Sequence, residues 1–515
     1  MSSVSRTCAP EESRVVAWLL SPRGVLVVFA LYSLAHFGLR LVLSPTLGLD
    51  DAEQAMFSQE LLAGYRFRQP PFYTWLVWFS VAAFGLNLFS LFLVKYLILF
   101  AGYAAFLFAA RRWIGDDRRA ALATYSLLLI YVFAYYLHHD LTHTVVVATM
   151  IGVAFHALAL AIDRGRWGDF AYLGLALGGG ILSKYNFGLF IACAALAAVF
   201  VPAIRPRLYR PRALLSLGIF LAIAVPYLVW VYRHDYSFQN LTQDVVHAAD
   251  GVSYLSKVGE GLLELPLKLL EFPQPFLVIV LATFPAMLLP GRYSRDDAGG
   301  KGRFLALHMI VGVALLVASV LFFGATQFKA RWFHPVLMAL PLYMFARIDD
   351  RALSRRRIAA FLGIVSAVTL FIFAARVVVD RVAPHHCGSC RTYLPFADVA
   401  DDLAALGFDG GTVVMKNFHI GGNLRLLWPE TRLVDVRYPY FLWGEATGEG
   451  QCLVVWQDET EEIPPMIAAY LEREMGVTEL PEVREGTVTA GLLGAPERTY
   501  VMSYVLIEGG AGDCR

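Results

Sequence analysis

A chain of 515 residues that is 57% hydrophobic, 14% aromatic and only 17% charged carries more apolar surface than a soluble domain needs. Its formal net charge of +1 excludes a nucleic-acid surface built on basic excess. Repeated apolar runs of about 18–25 residues indicate instead a polytopic α-helical membrane protein.

The polar tail 1–23 contains Arg6 and Arg14, and the first apolar run follows at 24–43. That run passes Arg40 without reaching a small-residue cleavage site, so it reads as an uncleaved first span whose start is cytoplasmic. Further runs cover 88–110, 119–137, 143–162, 169–182, 186–204, 211–232, 274–290, 304–324, 332–347 and 357–379. Arginine-rich connectors near residues 111–119, 164–166, 205–212, 292–303 and 347–357 separate them. The positive-inside rule puts these connectors on one side if the apolar, Trp- and Tyr-rich stretch 72–86 lies in the interface rather than crossing. The expectation is then about eleven spans, give or take two. Segments 44–87, 138–142, 233–273 and 380–515 fall outside, with the short links 183–185 and 325–331. The membrane region is 24–380.

From 381 to 515 the long apolar runs stop. Helices are expected at 396–406 and 464–475, and strands at 411–415, 432–436, 452–456 and 499–507. These make a small extracytoplasmic α/β domain of roughly 130 residues. Gly410-Gly411 and Gly421-Gly422 lack the GxGxxG spacing of a nucleotide fingerprint. Four of the six cysteines, Cys387, Cys390, Cys452 and Cys514, lie here, which suggests an oxidising compartment and one or two disulfides whose pairing stays open.

Three features carry chemistry. Leu49-Asp50-Asp51-Ala52-Glu53-Gln54 sets three carboxylates directly after the first span. Asp50 there is either a functional acid or the cap of a helix over 51–63, where acids in the first turn complement the dipole. His138-His139-Asp140-Leu141-Thr142-His143 joins two apolar runs. It suggests a metal site, although the spacing matches no zinc pattern and boundary histidines are commonly just interfacial. Lys184, Lys329 and Arg331 lie on external links against the positive-inside bias. Phosphate binding explains them, and snorkelling to headgroups is the plainer alternative.

The acidic pair after the first span, Gly64-Tyr65, and Gln69-Pro70-Pro71-Phe72-Tyr73-Thr74-Trp75-Leu76 together resemble the polyprenyl-phosphate-dependent glycosyltransferases of the GT-C superfamily. Family 39 and the lipid A aminoarabinose transferases are among these. The pattern is most similar to the bacterial subgroup that adds galacturonic acid to lipopolysaccharide core and lipid A. The resemblance spans about residues 24–380. Many relatives have Lys where this chain has Gln69.

The resemblance implies an inverting transfer from a polyprenyl-phosphate sugar to a hydroxyl of lipid A or lipopolysaccharide core, at the periplasmic face of the inner membrane. It implies Asp50, Asp51 and Asp140 as catalytic, with Asp50 taking the acceptor proton. Lys184, Lys329 and Arg331 would neutralise the departing phosphate, and Glu53, Gln54, Gln69 and His139 would contact substrate. No cofactor is required, and a divalent cation near the acids stays open. A transporter or flippase of lipid-linked sugars is the rival reading. It would place its charges mid-span and show paired repeats, neither of which is evident.

Overall fold

The computed structural model describes residues 14–66, 69–139, 141–234, 253–288, 297, 299–438, 441, 443, 450–457, 462–477, 483–507 and 509–515. Asp140, most of the tail 1–23 and much of the loop 233–273 lie outside them.

Six described helices are long and apolar enough to cross a bilayer: Pro22–Leu43, Leu88–Ile114, Thr142–Asp163, Ala213–Arg233, Lys301–Phe323 and Arg355–His386. Their starts follow local chemistry. Ser21 accepts from the Gly24 N–H ahead of Pro22 at the first helical position, and Asn87 and Ser90 form a reciprocal capping box. Thr142–Asp163 is the central pillar, with 83% of its apolar window buried inside the protein.

The remaining five apolar runs are shorter or broken. Trp167–Ser183 and Phe187–Phe200 are helices of 17 and 14 residues. The run 119–137, read above as a span, is instead a helix Asp117–Tyr125 followed by short helical turns to His138. Thr124 and Ser126 turn their hydroxyls back on the carbonyls of Ala120 and Leu122, and the Tyr131 N–H leaves the run to meet the Gln274 carbonyl. Broken backbone of this kind is tolerated at membrane depth where it is buried in protein, as most of this stretch is. Phe72–Phe84 has 13 residues and rises ~20 Å, short of a ~30 Å hydrocarbon core.

The C-terminal region folds into a five-stranded sheet. In chain order its strands are β1 (Gly411–Met415), β2 (Arg432–Asp435), β3 (Gln451–Trp456), β4 (Val483–Leu492) and β5 (Ala495–Ile507). Their spatial order is β2-β1-β3-β5-β4, parallel across β2, β1 and β3 and antiparallel beyond. The sequence reading missed β4, an edge strand whose Arg-Glu-Gly-Thr and Ala-Gly steps resemble a loop. The cysteines pair as Cys387–Cys390 and Cys452–Cys514.

The helix over Leu49–Phe57 is the joint between the two halves. The sequence suggested 51–63, but Ser58 and Gln59 fold back on the carbonyls of Ala55 and Met56 and end it early. From the other side, helix Phe418–Leu427 grips it. Asn423 accepts from the Leu47 N–H at 2.7 Å, the His419 ring donates to the Leu47 carbonyl at 3.0 Å, and Arg425 donates to the Ala55 carbonyl and the Ser58 hydroxyl. The two backbones touch because Gly422 has no side chain: a Cβ there would stand 2.1 Å from the Ala52 carbonyl oxygen. This contact accounts for Gly421-Gly422 and His419, which carry no evident role in the sequence.

Gly422→Ala should therefore destabilise the protein by about 1–3 kcal/mol, because a backbone carbonyl cannot swing aside. The check is thermal unfolding of the detergent-solubilised protein, with proteolysis of the C-terminal domain in parallel. An unchanged melting temperature and nicking rate would contradict the contact.

Candidate active site

The helix Leu49–Phe57 distributes its polar residues over two faces. Asp50, Glu53 and Gln54 share one, at i, i+3 and i+4, while Asp51 looks elsewhere. Gly48 caps the helix without a side-chain bond, so Asp50 is not its cap. Asp50 is half-buried, and its Oδ2 accepts from the Leu141 N–H at 3.0 Å. Leu141 presents that N–H from a left-handed backbone, φ 68°, which is unfavourable for a bulky side chain and typical of a constrained functional turn.

Glu53 is 1% exposed and paired with Arg66. Burial pushes its carboxyl up, to about 7, against the pull of Arg66. Gln54 is equally buried. Its Oε1 accepts from the Thr74 hydroxyl at 2.7 Å, and its amide nitrogen lies 3.3 Å from the His143 ring. With both ends engaged, Gln54 fastens the helix to the Pro-Pro-aromatic segment. The Trp75 indole secures the same segment, donating to the Leu62 carbonyl at 2.7 Å. Gln69 is half-buried, and its Oε1 is buried without a partner among the described residues.

Lys184 stands at the end of Trp167–Ser183, half-buried, donating to the Thr144 hydroxyl at 3.0 Å. Burial pushes its ammonium down, to about 8. Asp50 opposes that shift, while Arg331, Lys329 and Arg66 add to it. One electrostatic field therefore joins Asp50, Lys184, Lys329 and Arg331, drawn from segments more than a hundred residues apart. Lys329 is exposed, its Nζ 5.4 Å from the centre of the Trp332 ring, and Arg331 is half-buried. Asn186 ties the two cationic links together by donating to the Trp332 carbonyl at 3.2 Å.

Asp51 belongs to a different environment. It is 4% exposed, with Lys95 Nζ 3.6 Å away. Burial raises its carboxyl, and Lys95 and Arg40 pull it back. Lys95 also donates to the carbonyl of His139, whose exposed ring packs 4.5 Å from that of Tyr135. Asp50 thus acts on Lys184, beside Lys329 and Arg331, while Asp51, which also feels Asp50, has Lys95 as its ion-pair partner. Among the described residues, no three His, Cys, Asp or Glu side chains are placed to hold a metal ion.

Sequence reasoning passed over Arg66, Lys95 and Arg376 as members of this polar core. For Lys95 and Arg376 a signal was present, since each interrupts a long apolar run, where an ionisable residue usually marks a site. Arg66 had none, because a basic residue in an external loop is unremarkable.

The comparisons agree with this architecture. A family model described as dolichyl-phosphate-mannose-protein mannosyltransferase matches residues 68–230. The lipopolysaccharide core galacturonosyltransferases RgtB and RgtA of Rhizobium johnstonii are both 30% identical to this chain. RgtB aligns over 91% of this chain and 93% of its own length, and RgtA over 84% and 86%. The crystal structure of ArnT from Cupriavidus metallidurans bound to undecaprenyl phosphate superposes with a TM-score of 0.57 at 17% identity, covering 93% of this chain and 98% of ArnT. Fold and site together define a multi-pass membrane glycosyltransferase of the GT-C class. Within that class the chain belongs to the family of the bacterial lipopolysaccharide galacturonosyltransferases.

Removing Lys95 would leave Asp51 as an uncompensated buried charge. Lys95→Met should cost about 3–5 kcal/mol, and adding Asp51→Asn should recover a large part of it. Thermal unfolding of the two single variants and the double variant measures the coupling. Additive losses would contradict the pairing.

Proposed function

We propose that this chain is an inverting glycosyltransferase. It moves a sugar, galacturonic acid by analogy with its relatives, from a polyprenyl-phosphate donor to a hydroxyl of lipid A or lipopolysaccharide core. The observation that carries the proposal is the placement of half-buried Asp50 in one field with Lys184, Lys329 and Arg331. The names of the Rhizobium relatives support the sugar and the acceptor. The lipid bound to the Cupriavidus structure supports the donor. The two disulfides fit a periplasmic site.

In this mechanism the acceptor oxygen attacks the anomeric carbon as its proton passes to the Asp50 carboxylate. The bond from that carbon to the phosphate oxygen breaks, and its electron pair leaves with the polyprenyl phosphate. Lys184, Lys329 and Arg331 stabilise the charge that develops there, and in a partly desolvated site this is usually the largest contribution. Lys184 acts as a point charge and Arg331 as a planar fork. Asp140, beside Leu141 in sequence, would orient the acceptor. Gln69, whose carbonyl oxygen has no partner among the described residues, would take a sugar hydroxyl. Glu53, through Arg66, holds the face of the helix that carries Asp50.

The direct test incubates the purified protein with polyprenyl-phosphate galacturonic acid and lipopolysaccharide, then assigns the anomeric configuration of the product by NMR. Inversion relative to the donor is expected; retention, or no transfer from any polyprenyl-phosphate sugar, would overturn the proposal.

The lowered affinity of Lys184 for its proton sets a pH limit. Phosphate binding requires the ammonium form, so kcat/KM for the donor should fall as pH rises through about 8. Lys184→Arg, which stays charged, should remove that limb of the profile. A wild-type profile flat up to the ordinary lysine range near about 10.4 would contradict the assignment.

A further inference from the structure

On the Asp51 side of the helix Leu49–Phe57 lies a half-open cavity of about 260 Å³, separate from the field around Lys184. Its polar wall includes Arg40, Asp51, His139, Arg376, Asp380 and Tyr393, and its rim toward the membrane is apolar, with Leu43, Val379 and Ala383. Nothing in the mechanism above uses it.

Arg376 is the feature that needs explaining. It lies within the long helix Arg355–His386 and is 4% exposed. It donates to the His36 ring at 2.6 Å and to the His138 carbonyl at 3.1 Å, and its Nε is buried without a hydrogen bond. No carboxylate lies within ion-pair distance of it among the described residues. Among the described residues this buried guanidinium has an imidazole and a carbonyl as its hydrogen-bond partners and no carboxylate in contact, a costly state that an anionic ligand would relieve. The two carboxylates of the wall are already engaged. Asp51 is held by Lys95, and Asp380 accepts from the Tyr393 hydroxyl at 3.1 Å. Among the described residues, Arg40, Lys95 and Arg376 set against Asp51 and Asp380 leave one positive charge in excess.

Position identifies the ligand. His139 lines the cavity, and two residues on the Leu141 N–H holds Asp50. The cavity therefore opens beside the proposed base, against Gly48 and Asp51, and Lys184, Lys329 and Arg331 are not among its lining residues. The apolar rim suits a molecule anchored in lipid.

We propose that this cavity binds an oxyanion, phosphate or carboxylate, carried by the acceptor glycolipid, and that Arg376 is its recognition residue, a reading that rests on the transferase function above. The bound oxyanion would present the neighbouring hydroxyl to Asp50, with Asp380 and Asp51 accepting from sugar hydroxyls at the same wall.

The test measures steady-state transfer in detergent by wild type, Arg376→Gln and Arg376→Lys, with two matched pairs of acceptor. One pair is lipid A and dephosphorylated lipid A; the other is core lipopolysaccharide with free and with methyl-esterified carboxylates. For at least one pair, Arg376→Gln should raise the KM of the charged acceptor by about tenfold or more. The donor KM should stay unchanged, Arg376→Lys should recover part of the loss, and the neutral acceptor should be indifferent to the substitution. Partial recovery by Lys also shows that the fold is intact. Equal effects on charged and neutral acceptors in both pairs, or an unchanged acceptor KM, would overturn the proposal. So would competition by phosphatidylglycerol that matches the acceptor's own affinity in wild type and is lost in Arg376→Gln, which would mark an ordinary headgroup site. Binding of the same four acceptors, followed by native mass spectrometry without donor, keeps the tests separate. Charge-dependent binding lost in Arg376→Gln, with no transfer by wild type, would reject the transferase reading and retain the cavity's ligand. Charge-independent binding with normal transfer would do the reverse.

Discussion

A nine-residue helix, Leu49–Phe57, is gripped on two sides, and the geometry of the site depends on that grip. On its outer side the backbone of Phe418–Leu427 lies against it at Gly422, and Asn423, His419 and Arg425 take up the polar groups at its two ends. On its inner side Gln54 is locked to Thr74 and His143, and Asp51 to Lys95. A helix of this length is not stable alone in water. Its tertiary contacts hold it, and they also prevent its carboxylates from shifting.

Held in this way, neighbouring acids acquire different tasks. Asp50 and Asp51 are adjacent, yet the helical turn of about 100° per residue points them in different directions. One meets the Lys184 field and the other Lys95. Low dielectric strengthens both interactions: Asp51 is paired with Lys95, and Asp50, held by the Leu141 N–H, favours the charged form of Lys184. Under the proposed function such a divider would keep the anionic groups of a lipid-linked donor and a lipid-anchored acceptor from competing for the same cations. The C-terminal domain is in this sense part of the active site, although none of its residues is assigned to the chemistry.

Much of this was legible in the sequence, because long apolar runs and a charge-dense break between them follow directly from bilayer physics. The strand Gly411–Met415 and the helix Phe396–Ala405 show clear periodicity and were read almost to the residue. The break in the run 119–137 did not show in the sequence, because apolarity alone does not distinguish a straight helix from broken backbone buried in protein. The site was visible only in part. Asp50, Lys184, Lys329 and Arg331 stood out as charges in the wrong places, but nothing in their spacing said that the first two share a field. Nor could it separate Asp50 from Asp51, or reveal that Gly421-Gly422 is a contact surface between helices. Those facts depend on approaches between segments hundreds of residues apart.

The account stands on Asp50 acting as the base. The most direct measurement is mass spectrometry of lipopolysaccharide from cells whose only copy carries Asp50→Asn, with protein level and lipid-linked donor level checked. The substitution keeps size and hydrogen bonding to the Leu141 N–H while removing the basic oxygen, so folding should be preserved. Loss of a general base typically lowers the rate by about 10²–10⁴. The account predicts normal protein in the membrane and lipopolysaccharide lighter by one sugar. Unchanged lipopolysaccharide from a normally expressed variant would contradict it.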